Sequence, residues 1–212
     1  MIRAHIAGVA LLALMTGTVA AQQTARVAVA PDSRLWIEGT SNLHGWTCKA
    51  TALEAQIDLD AAVAAQLSVA PPKALKRVEV KVPVKSIKCG HGGGMDDNLY
   101  KALKADDSSE ISYILATFDA VPGDVKDTFT LHTVGTLTIA GTENKIAMDV
   151  TATRMEDGTI QATGAVPIKM TDYGVQPPTA IFGRLKTGNE VRVNFELSVG
   201  AKAIAAALGG QP

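Results

Sequence analysis

Residues 77–84 read Arg-Val-Glu-Val-Lys-Val-Pro-Val, with Val78, Val80, Val82 and Val84 on one parity and Arg77, Glu79 and Lys81 on the other. Successive side chains of a strand point to opposite faces, so this run is a strand with one buried and one wetted face. The same alternation returns along the chain. Val191, Val193, Phe195 and Leu197 alternate with Glu190, Arg192, Asn194 and Glu196, and Ile146, Met148 and Val150 with Ala147, Asp149 and Thr151. Phe129, Leu131, Leu137 and Ile139 share a parity opposite a Thr-rich side, and Ile160, Ala162, Gly164, Val166 and Ile168 form another set. Strands are expected at 34–41, 47–58, 74–84, 110–120, 127–139, 144–153, 159–169 and 189–199. Asp157-Gly158, Ala140–Asn144 and Pro122-Gly123-Asp124 carry the turn residues that hairpins between them require.

Antiparallel strands with one apolar face close into a barrel or stack as a sandwich. Expected strands of this length, well beyond the usual five or six residues, favour the barrel. The expected fold class is therefore all-β, an extended eight-stranded antiparallel barrel with one or two short helices. The helical segments are Asp60 to Leu67, which stops at Pro71-Pro72, and Met95 to Ala105, with Asp96 and Asp97 near its start and Lys101 and Lys104 near its end. Composition bears on what the interior holds. Hydrophobic residues make up 47% of the chain but aromatic ones only 4%, so mid-sized aliphatic side chains line such a barrel without plugging it. An interior of eight strands is either filled by side chains or holds one small ligand. Twenty Lys and Arg against 21 Asp and Glu leave a net charge of −1, with no basic excess to hold a nucleic-acid backbone.

The first 21 residues form a separate unit. Arg3 supplies a positive start, Ile6 to Met15 is an apolar run, and Thr16 to Ala21 offers small residues for cleavage. This reads as a signal peptide, since the run is too short for a membrane span. The expectation is an exported protein, periplasmic or secreted, with residues 22–200 as the barrel domain and 201–212 as a flexible C-terminal tail. In an oxidising compartment the only two cysteines, Cys48 and Cys89, read as a disulfide; the alternative is two reduced thiols.

Few motifs in the chain point to chemistry. His91-Gly92-Gly93-Gly94 resembles an oxyanion-hole loop, but no Gly-x-Ser-x-Gly elbow accompanies it, so no enzyme is expected. His44, Cys48, Cys89 and His91 could serve a metal- or redox-active site, at the expense of the disulfide. Leu43-His44-Gly45-Trp46 is either a hairpin turn with Trp46 covering one barrel end or the edge of a cavity mouth. The loop after Met170, with Asp172 and Tyr173, is structural punctuation or a lid.

Three stretches taken together resemble the YceI-like family of exported bacterial proteins. They are Trp36 to Trp46; Val82 to Lys88 with the following Met95-Asp96 and Leu99-Tyr100; and Gly135 to Gly141. Thr171 to Val175 and the final strand Val191 to Leu197 fit as well. The resemblance covers about residues 33–199 and implies a lipocalin-like barrel that binds long isoprenoid lipids or other amphiphiles, without catalytic residues. Cys48, Cys89 and the glycine-rich Gly90–Gly94 depart from the family pattern. The implied ligand is a polyisoprenoid or isoprenoid quinone, with no other cofactor required. Its tail would lie on Leu35, Ile37, Val80, Val82, Leu131, Leu137, Met148 and Phe195. Its polar head would meet His44, Trp46, Asp172 or Tyr173 at the mouth. A dimer is compatible with the sequence, which does not specify the oligomeric state.

Overall fold

The computed structural model describes residues 24–60, 71–90, 93–180 and 182–209. The expected signal peptide, the helical reading of residues 61–67 and His91 lie outside the described residues. The strands are β1 (Thr24–Ala28), β2 (Arg34–Ser41), β3 (Gly45–Ala50), β4 (Glu54–Asp60), β5 (Leu75–Pro83), β6 (Ile87–Lys88), β7 (Glu110–Pro122), β8 (Thr128–Ile139), β9 (Thr142–Arg154), β10 (Ile160–Lys169), β11 (Thr179–Ala180) and β12 (Leu185–Val199). They form one twelve-stranded antiparallel sheet, so the expected count of eight is corrected. Bends are the reason. The expected strand 47–58 divides into β3 and β4 around Thr51–Leu53, and β6 continues β5 beyond a 3-10 turn at Val84–Ser86. Two further strands, β1 and the short β11, lie outside the expected set.

The bends do not break the path of the sheet. β1 pairs with β4 as β2 pairs with β3, and β4 pairs with β5 as β3 pairs with β6. The backbone N–H and hydroxyl of Thr51 both donate to Ser86 O (2.9 and 2.8 Å), and Ala30 N–H donates to Ser198 O at 2.7 Å. These bonds bridge the interruptions. Going round, β1–β2, β3–β4, β5–β6, β7, β8, β9, β10 and β12 are neighbours in turn, and β12 pairs with β2. The pairing returns to its start, which removes the long edges that would otherwise present unpaired backbone groups.

Closure makes one parity of each strand the inside. On β8 the inward positions Leu131, Thr133, Leu137 and Ile139 are buried, while His132 faces solvent. On β7 a register shift between Leu115 and Thr117 moves the inward set from Ile111, Tyr113 and Leu115 to Phe118 and Ala120. One extra residue in a strand bends it and reverses its faces beyond that point. The hairpin β8–β9 turns on Ala140 and Gly141, both at positive φ (51° and 79°), as a two-residue hairpin requires.

Three inward glycines hold aromatic rings against the wall. A Cβ on Gly39 would stand 2.2 Å from the Trp46 ring, one on Gly135 2.5 Å from the Tyr113 ring, and one on Gly164 2.4 Å from Phe195. Gly39 and Gly164 face Trp46 and Phe195 directly in the cross-strand register. The missing side chains let the rings lie flat on the neighbouring strand.

Helices stand at the two ends. The helix Gly93–Ala102 comes after the disulfide Cys48–Cys89, and is held by Cys89 N–H donating to Asp96 Oδ1 (2.8 Å) and Tyr100 Oη donating to Ile87 O (2.9 Å). At the other end residues 201–209, expected as a flexible tail, form the helix Ala201–Gly209. Its Ile204 and Ala207 pack on Ala25, Val27, Leu59, Ala74 and Val199, and burying this apolar face orders the segment.

The disulfide closes a sequence separation of 41 residues, and loop-closure entropy gives it a contribution of about 4 kcal/mol. Reduction, or Cys48→Ala with Cys89→Ala, is expected to lower the urea midpoint accordingly; equal midpoints with and without reductant would show that the bond contributes nothing. Gly164→Val is expected to destabilise by about 1–3 kcal/mol through overpacking against Phe195, more than the gain in strand propensity of up to about 1 kcal/mol. The same unfolding measurement checks this, and an unchanged or higher midpoint contradicts it.

Candidate functional site

The inward faces of the barrel enclose a cavity of about 860 Å³. Its wall draws residues from the strands around the ring and from both capping helices, so it runs between the two ends of the barrel. Leu, Val and Ile dominate the wall because alternation placed them there and closure turned them inward. At one end Met95, Leu99 and Leu103 reach it from the segment that begins with helix Gly93–Ala102, together with Met170, Tyr173 and Val175. At the other end Ala201, Ile204 and Ala205 reach it from the C-terminal helix.

Eight residues were expected to line a lumen. Leu35 and Ile37 (β2), Val80 and Val82 (β5), Leu131 and Leu137 (β8), Met148 (β9) and Phe195 (β12) are all on the cavity wall. Of the mouth residues, His44, Trp46 and Tyr173 also border it. His44 is exposed in the β2–β3 hairpin, with Nδ1 at 2.7 Å from Gly45 O, a contact that puts a proton on Nδ1. Trp46 donates from Nε1 to Thr40 O at 3.1 Å, which fixes the ring over Gly39. Tyr173 is buried rather than set at an open rim, being only 3% exposed. Burial pushes its hydroxyl pKa up, and the Asp172 charge adds to the shift.

Asp172 was also expected at the mouth. Asp172 does not border the cavity: it is exposed, and its carbonyl accepts a hydrogen bond from Asn144 Nδ2 at 2.7 Å. Met170–Tyr173 is a 3-10 turn, in which residues three apart eclipse. Met170 and Tyr173 therefore point inward together while Asp172 points away.

The metal-centred alternative finds no support. Cys48 and Cys89 are joined to each other at 2.02 Å, which removes both thiolates. Among the described residues no group of three or more His, Cys, Asp or Glu side chains could hold a metal ion.

The wall residues not anticipated from sequence include two sets that bear on the site. Ala201, Ile204 and Ala205 have the i, i+3, i+4 spacing of a helix face, but in an Ala-rich tail that signal is faint. Tyr113 and Thr133 are polar residues on the wall. Thr133 shares the parity of Leu131 and Leu137, which is the signal that it faces inward.

The sequence matches the YceI-like domain family over residues 23–199. Similar solved structures include Burkholderia cenocepacia BcnA, at 18% identity and a TM-score of 0.61, covering 80% of this chain and 98% of that one. A polyisoprenoid binding domain from Saccharophagus degradans, implicated in plant cell wall breakdown, is 14% identical with a TM-score of 0.58, covering 84% of this chain and 98% of that one. The Campylobacter jejuni YCEI protein is 19% identical with a TM-score of 0.52, covering 72% of this chain and 83% of that one. A comparison with curated proteins returns no match. With nearly all of the barrel matched in sequence, and the same fold in these structures, the chain belongs to the YceI-like family.

Proposed function

We propose that this protein binds a long apolar molecule with a polar end, of the polyisoprenoid or isoprenoid quinone type, in the lumen of a lipocalin-like barrel, and that it carries out no catalysis. The observation that carries this reading is the aliphatic cavity of about 860 Å³ inside a closed ring of strands. Cavities of this size and composition are typical ligand sites. The likeness to a domain described as polyisoprenoid binding supports the ligand class.

The size of the hydrophobic term argues for a long ligand. Each buried methylene contributes about 0.8 kcal/mol, so about ten contribute roughly 8 kcal/mol. Association costs about 4–15 kcal/mol. A chain of several isoprene units is therefore needed before burial outweighs the cost, and a short volatile hydrocarbon would bind weakly. The tail would lie along Leu35, Ile37, Val80, Val82, Leu131, Leu137, Met148 and Phe195, with His44 and Trp46 at the polar end. We place this activity outside the cytoplasm, in the periplasm or secreted, on the strength of the signal-like N-terminal sequence and the disulfide. Among the described residues no helix is long and apolar enough to cross a membrane.

The test is purification from the native exporting host, followed by mass spectrometry of an organic extract and a melting curve with added isoprenoid quinone. The expected result is a co-purifying polyprenyl compound. Stripped protein should gain about 2.7 kcal/mol at a ligand concentration of about one hundred times Kd, a rise of roughly 5–10 °C in Tm. Folded protein with no extractable lipid and no shift in Tm would overturn the proposal.

A further inference from the structure

Tyr113 is a polar side chain in a mostly aliphatic stretch of the wall. It stands on β7 in register with Val80 of β5 and Leu137 of β8. Its ring leans along β8 onto Gly135, where a Cβ would lie 2.5 Å from Cε2, Cζ and Oη. The glycine thus lets the hydroxyl reach the level of Gly135 and Thr133, close to the middle of β8. Tyr113 and Thr133 both border the cavity.

Tyr113 Oη is buried and has no hydrogen-bond partner among the described residues. The adjacent Thr133 hydroxyl donates to Met148 O at 2.8 Å, so its proton is not available to Tyr113 Oη. Burial pushes the phenol pKa up, with a smaller opposing effect from Thr133, so the group carries its proton at neutral pH and is a donor. Buried polar groups are almost always paired, and an orphan hydroxyl on a ring that borders a ligand cavity is most simply read as waiting for a ligand atom.

We infer that Tyr113 Oη donates a hydrogen bond to an oxygen atom carried by the ligand inside the lumen, so that the site selects an oxygenated isoprenoid over a bare hydrocarbon of equal length. The inference rests on the lumen being the ligand site, as proposed above. The chemistry required is a neutral acceptor oxygen on an isoprenoid chain. A quinone carbonyl and a prenol hydroxyl both supply it, and a neutral phenol among Val80, Leu137 and Gly135 suits these. Gly135 acts as a positioning residue, since any side chain there would push the ring off β8 and displace the hydroxyl.

The experiment compares binding of three probes, an isoprenoid quinone, an isoprenoid alcohol and a hydrocarbon of matched length such as squalene, to wild-type protein and Tyr113→Phe. The expected result is about tenfold weaker binding of an oxygenated probe by the variant, with hydrocarbon binding unchanged; the quinone and alcohol arms show which oxygen is the one read. Equal losses for oxygenated probe and hydrocarbon, or no loss for either oxygenated probe, overturn this inference and leave the lumen as the ligand site intact. If no isoprenoid binds wild-type protein, both readings fall. Infrared spectra of quinone-loaded wild-type protein give a readout that does not depend on the variant folding. The carbonyl stretch is expected below its value in an apolar solvent, and an unshifted band contradicts a quinone carbonyl as the acceptor.

Discussion

The hydrogen bonds that join β12 to β2 and β3 to β6 close the ring on which the rest of the structure depends. A long antiparallel sheet of this kind, left open, would carry two unpaired edges and an apolar face. Joining its ends satisfies the backbone and creates an inside in the same act. Each strand must then devote one parity to that inside, and the alternating sequence becomes a wall instead of half of a sandwich. The bends that split β1 from β2, β3 from β4 and β5 from β6 are tolerated because Ser86 and Ser198 accept backbone donors across them. The ring therefore bends without opening.

What the ring encloses depends on the size of the side chains that face inward. Only 4% of the chain is aromatic, and three of its rings are laid on glycines of a neighbouring strand, Trp46 on Gly39, Tyr113 on Gly135 and Phe195 on Gly164. A ring held flat against the wall contributes apolar surface without crossing the lumen. The scarcity of aromatics and the placing of these glycines act together to keep the interior open. Tyr113 is one of the polar side chains on that wall, and its hydroxyl is a buried donor with no partner among the described residues.

Much of this architecture was legible in the sequence, for a local reason. Period-two alternation is written into consecutive residues, so the strand faces of Val78–Val84, Phe129–Ile139 and Val191–Leu197 could be read directly, and the eight residues expected in the lumen all stand on its wall. Features set by tertiary structure were harder. The bulge in β7 reverses the faces between Leu115 and Phe118 with no break in apolar content to announce it. The five-residue strand β1 becomes a strand by pairing with β4, and the segment Ala201–Gly209 becomes a helix by packing on Val27 and Leu59. The exposure of Asp172 was not legible either, since it depends on a 3-10 turn that directs Met170 and Tyr173 inward and the residue between them outward. The glycine seats for the rings require cross-strand register, which local sequence does not specify.

The central claim is that the ligand lies inside the ring. A crystal structure with a bromine- or iodine-labelled isoprenoid, located by anomalous scattering, tests it most directly. The account predicts a peak within the lumen, between the inward faces of β8 and β12, with the chain running past Leu131 and Phe195. A labelled ligand found only on the outer face, or at the exposed hairpin tips with the lumen unchanged, would contradict it.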